Sequence, residues 1–116
     1  MAETRNLSTP DETRKFDKGR LDVVEVNGQL VGRGTFEPGW KWSECVKPLA
    51  GTDSCQVEHF GYVVSGRMAV QFDDGSSVEV GPGDCAHMPA GHDAWILGDE
   101  PCVFIDMMGA ANYAKQ

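Results

Sequence analysis

The chain contains no apolar run of membrane-spanning length, and no charged segment leads into a short apolar core. Neither a membrane span nor a secretory signal is therefore expected, and the expected setting is cytoplasmic. Positive charge is scarce: 10 Lys and Arg stand against 18 Asp and Glu, a net charge of -8 with pI near 4.7. Such a surface is expected to take no nucleic acid and no anionic membrane as partner. The four cysteines, Cys45, Cys55, Cys85 and Cys102, include no C-x-x-C pair. In a reducing compartment they are expected as thiols, either small buried hydrophobes or metal ligands, while a Cys45–Cys55 bridge would require oxidation. The G-x-S-x-G and P-loop patterns are absent, which removes support for a nucleophile elbow or a phosphate cradle. No convincing amphipathic helix, internal repeat or low-complexity segment occurs either.

What the sequence does hold is short extended segments punctuated by turn residues. At 116 residues it supports one domain with a core large enough to fold without disulfides. Residues 1–20 are polar apart from Phe16 and keep no strand or helix period, so they are expected as an N-terminal tail or an arm draped on the domain that spans 21–116. Segment 21–26 is rich in β-branched residues and ends at Asn27-Gly28, a hairpin turn signal, and 29–36 returns as its partner. Further strands are expected at 59–65, 67–72, 77–80, 85–89, 94–97 and 102–107, with a loop over 43–54. Trp40 and Trp42, two residues apart, would share one face of an extended segment. The tail from Gly109 to Gln116 reads as a short helix or an edge segment. The pattern is all-β, a sandwich or a barrel, and periodicity leaves that choice open.

Two segments narrow the choice. Cys55-Gln-Val-Glu-His59-Phe-Gly-Tyr-Val-Val-Ser-Gly66 and Gly81-Pro-Gly-Asp84-Cys-Ala-His-Met-Pro89-Ala-Gly91-His92 resemble the two motifs of the cupin family, with Glu37-Pro38-Gly39 resembling the turn that precedes the first. The resemblance covers roughly residues 22–107 and implies a small single-domain jelly-roll barrel whose two motifs face each other across the interior. It also implies a divalent metal and a small-molecule ligand in the barrel, no organic cofactor, and a homodimer. If the protein is an enzyme, the resemblance implies dioxygenase- or isomerase-type chemistry.

The ligand positions of that family are altered here. Counted back from Gly66, the family's glutamate falls on His59, its second histidine on Cys55 and its first on Asp53; counted forward from Gly39, the first histidine falls on Cys45. The histidine of the second motif falls on Ala94, which cannot bind metal, and His92 lies two residues earlier on the same face of an extended segment. Cys55, His59 and His92 are thus the candidate ligands, with Cys45 as a fourth, and each has a plainer reading as a buried thiol or a hydrogen-bonded imidazole. A set of thiolate and imidazole donors is soft and favours zinc or iron over manganese. Asp53, Cys55 and His59 share parity, which would place Glu58, Phe60 and Tyr62 on the opposite side unless a bulge intervenes. Trp40, Trp42, Tyr62 and Phe104 are the candidate pocket-lining residues. Two functions follow: a metal-binding cupin holding a small organic molecule, or a non-catalytic ligand-binding or sensing cupin that has lost its metal site.

Overall fold

Nine strands account for most of the structure, a computed structural model that describes residues 1–114. They are β1 (Glu12–Phe16), β2 (Gly19–Val26), β3 (Gln29–Phe36), β4 (His59–Ser65), β5 (Arg67–Phe72), β6 (Ser77–Val80), β7 (Cys85–Met88), β8 (His92–Leu97) and β9 (Cys102–Asp106). All named pairs are antiparallel. They form a six-stranded sheet in the order β1-β2-β3-β9-β4-β7 and a three-stranded sheet in the order β6-β5-β8. Two isolated rungs, Lys41 with Trp95 and Cys55 with His92, tie loop residues to β8.

The local chemistry explains these elements. Asn27 and Gly28 both take positive φ, 49° and 79°, the conformation that a two-residue turn needs to match the twist of its flanking strands. The hairpin β2–β3 then pairs in unbroken register from Gly19 with Phe36 to Val26 with Gln29. At the end of β4, Gly66 has φ 75°, and a Cβ there would meet the Pro101 carbonyl oxygen at 2.4 Å. Only glycine fits this crossing into β5.

Inward-facing residues alternate along β4, β8 and β9: His59, Gly61 and Val63 are buried, as are His92, Ala94 and Ile96, then Cys102, Phe104 and Asp106. The core between the sheets is centred on Trp42, Val46, Val63 and Val70, all nearly inaccessible. Burying each such aliphatic side chain contributes roughly 1.5–3 kcal/mol.

Three segments differ from the expectations. The N-terminal arm is more than a tail, because residues 12–16 form the edge strand β1, in register with β2 from Glu12 with Val23 to Phe16 with Gly19. Its polar sequence hides the strand because the one residue it buries, Arg14, is charged, while the others are exposed or half-buried. Residues 43–54 are not an open loop. They coil into two short helices, α1 (Trp42–Cys45) and α2 (Lys47–Ala50), the second carrying Pro48 near its start and ending at Gly51 with φ 74°. Trp42 therefore begins a helix rather than continuing an extended run with Trp40, although both indoles are buried. The C-terminal tail makes one 3-10 turn, Gly109–Ala111, and its last two residues, 115 and 116, lie outside the described residues.

Candidate metal centre and cavity

The rung between Cys55 and His92 brings the two motif segments together. Cys55 N–H donates to the His92 carbonyl at 2.7 Å, and His92 N–H donates back to the Cys55 carbonyl at 3.2 Å. His59, first residue of β4, points inward four residues after Cys55. As a result one donor atom from each of Cys55, His59 and His92 lies within 4.8 Å of the others, the one such group found among the described residues. The two imidazole centroids are 5.4 Å apart.

Each ring is held by its outer nitrogen. His92 Nδ1–H donates to the Pro89 carbonyl at 2.9 Å, which leaves Nε2 as the free lone pair. His59 Nδ1 pairs with Asp106 Oδ2 at 2.6 Å, and its Nε2 lies 3.8 Å from Cys55 Sγ. Asp106 is itself fixed, accepting the backbone N–H groups of Met108 and Gly109 at 3.0 and 2.8 Å. This carboxylate–imidazole pairing is the arrangement that sets the tautomer and direction of metal-binding histidines.

The electrostatics follow from that geometry. Burial opposes ionisation of Cys55, but hydrogen bonds and charge from His59 and His92 outweigh it and bring the thiol down to about 6. Burial likewise favours a neutral His59, yet Asp106 and then Cys55 lift the ring to about 9. Burial would raise Asp106, but His59 and the two amides hold it below the usual carboxylate range. Near neutral pH the metal-free group is thus a thiolate beside an imidazolium, with a carboxylate behind it.

His59 and His92 open onto a cavity between the sheets whose free volume is about 40 Å³. Trp40, Trp42 and Phe104 line it, as do Asp106 and Tyr113. Tyr62 does not: it is 45% exposed on the outer face of β4, because the strand keeps strict alternation there and its even positions turn away from the interior. Cys45 also stands outside the donor group. It closes α1, where its thiol lies 3.7 Å from Asp17 Oδ2, and burial raises it, so the coiling of residues 42–50 takes it away from the site. Asp53 pairs with Lys47 at the surface. Cys85 and His87 are exposed on β7, with His87 paired to Glu58, and Cys102 is buried beside Phe104's strand position. All four cysteines are free thiols.

Sequence reasoning missed Asp106 and Tyr113. Asp106 carried a signal, an acidic residue in the same inward register as Cys102 and Phe104. Tyr113 carried none. It is brought in by the first strand, where Arg14 Nη1 donates to its carbonyl at 2.8 Å and Phe16 packs edge-on to its ring at 6.0 Å. Its ring then stands 5.4 Å from that of His59. Burial raises the phenol well above its ordinary range, so it remains neutral.

The cupin domain profile matches residues 50–108, just over half of the chain. No curated protein matches in sequence. Among solved structures, a protein of unknown function from Rhizobium leguminosarum bv. viciae superposes with TM-score 0.66 at 19% identity, covering 93% of this chain and 96% of that one. A protein of unknown function from Acidithiobacillus ferrooxidans gives 0.62 at 17%, covering 90% of each chain. An oxalate decarboxylase from Bacillus subtilis gives 0.62 at 19%, covering 89% of this chain, which spans only 29% of that enzyme. At these identities the likenesses establish the fold alone.

Proposed function

From the premise that this chain belongs to the cupin family, we propose that it binds a divalent transition metal through Cys55 Sγ, His59 Nε2 and His92 Nε2 and holds a small organic molecule in the adjoining cavity. The observation that carries this reading is the convergence of three donor atoms whose imidazoles are both anchored by their outer nitrogens. One thiolate and two imidazoles suit zinc or ferrous iron, and three protein ligands is the number used where a position stays open to a small molecule. When bound, such a metal supplies Lewis acidity or a redox centre. The chain's own residues orient and enclose: Asp106 aims His59, the Pro89 carbonyl aims His92, and the two tryptophans keep water from the site. Oxalate is named for one structural neighbour, but no Lys or Arg among the described residues lines this cavity to receive a dianion.

A second reading, a ligand-binding or sensing cupin without metal, is favoured by Ala94. It is buried in the cavity wall at the place where the family carries a histidine. Metal analysis of protein purified without chelator separates the two. Stoichiometric zinc or iron, lost in both Cys55→Ala and His59→Ala while the fold is retained, is the expected result. Protein that stays metal-free in anaerobic preparation, with melting unchanged by added zinc or ferrous ion, would sink the metal reading. We also propose a homodimer, supported by the exposed side chains of Phe60, Tyr62 and Val64 on the outer face of β4.

A further inference from the structure

The wall of the cavity is apolar over most of its extent, with Leu21, Phe36, Val63, Met68, Val80 and Met88 among the residues that line it. Its free volume of about 40 Å³ holds roughly three water-sized groups, at about 10–15 Å³ for each. No lysine or arginine reaches it among the described residues, and its one carboxylate, Asp106, is already taken up by His59 and two backbone amides. Trp40 supplies an unmet polar demand. Its indole is 2% exposed and forms part of the cavity wall, yet Nε1–H has no hydrogen-bond partner, the sole buried side-chain donor or acceptor in that condition among the described residues. An unpaired buried donor costs roughly 1–3 kcal/mol, a demand that a ligand acceptor would relieve.

We infer that the cavity takes a compact, uncharged molecule of a few non-hydrogen atoms, whose carbonyl or hydroxyl oxygen accepts the Trp40 indole N–H while its remainder packs on the apolar wall. An anionic ligand would bring its charge into an apolar space with no lysine or arginine among the described residues to receive it. This deepens the proposed function, resting on the same cavity, but it requires the metal only as a neighbour.

The test uses acetamide and acetate, nearly equal in shape and differing in charge, titrated into the full chain in metal-free and zinc-loaded forms. The readout is the nitrogen–proton correlation of the Trp40 indole, identified by its loss in Trp40→Phe. Acetamide is expected to shift the Trp40 signal and leave that of Trp95 in place. Acetate should bind at least tenfold more weakly to the metal-free form, and in Trp40→Phe, which keeps an aromatic wall, acetamide followed through the indole of Trp42 in the same cavity should bind about fivefold more weakly, the equivalent of one ordinary hydrogen bond. Equal or tighter binding of acetate to the metal-free form overturns the inference, and so does a Trp40 indole that neither probe moves. If zinc fails to bind while acetamide still shifts Trp40, the metal reading falls and this one stands. If zinc binds and the indole stays unmoved, the reverse holds.

Discussion

His59 shows what one residue is asked to do. Metal binding needs its Nε2 free of a proton, whereas the metal-free site favours the imidazolium and lifts it to about 9. Cys55, brought down to about 6, is already a thiolate over most of that range. Between about pH 6 and 9, binding should therefore release one proton, and zinc affinity should climb about tenfold per pH unit, flattening above 9 and steepening below 6 where the thiol also holds a proton. Isothermal titration in buffers of different ionisation enthalpy checks both slope and proton count. In Asp106→Asn the lost carboxylate no longer favours the imidazolium, so the plateau should begin at lower pH. Affinity on the plateau, where protons no longer compete, should fall about 10- to 100-fold from lost orientation. A plateau unmoved by this change would deny Asp106 its positioning role.

At the scale of elements, the site depends on how closely β4 lies against β9. Gly61 pairs with Asp106, and a Cβ on it would stand 1.8 Å from the Ile105 carbonyl oxygen and 2.9 Å from the Phe104 ring. Gly61→Ala must push the strands apart, and denaturant unfolding should show a loss of at least about 2 kcal/mol, with metal binding weakened in whatever protein still folds. Unchanged stability would contradict this packing. In β4, β8 and β9 one face is buried, which writes a period of two into the chain, and 29–36, 59–65, 67–72 and 77–80 stand as read. The arm and the loop were not legible. The one buried residue of β1 is the charged Arg14, so its sequence shows no apolar period, and the turns at 42–50 are too short to display a helical one. Asp106 could have been found by extending the inward register of β9, whereas Tyr113 is placed by Arg14, almost a hundred residues away in sequence.

For the molecule as a whole, no helix among the described residues is long and apolar enough to cross a membrane. The six-stranded sheet carries an exposed apolar stripe, Phe60, Tyr62 and Val64, on the face turned away from the cavity. Sedimentation velocity is expected to show a dimer that Tyr62→Lys with Val64→Lys converts to monomer without loss of metal binding, since these side chains point outward. A wild-type chain that sediments as a monomer at every concentration would end that proposal.

The sequence by itself determined an all-β fold, through its turn glycines, its Asn-Gly hairpin and its alternation, and the resemblance of its two motifs to those of the cupin family implied the barrel. Counting along those family motifs also named Cys55, His59 and His92 as candidates, with Cys45 as a fourth, and the period of two supported a common side. Only the tertiary structure decided that these three meet and that Cys45 and Tyr62 stand apart. It alone placed Asp106 behind His59. Those are relations between strands distant in sequence, set by register and by the coiling of one connection, and periodicity within a strand carries no record of either.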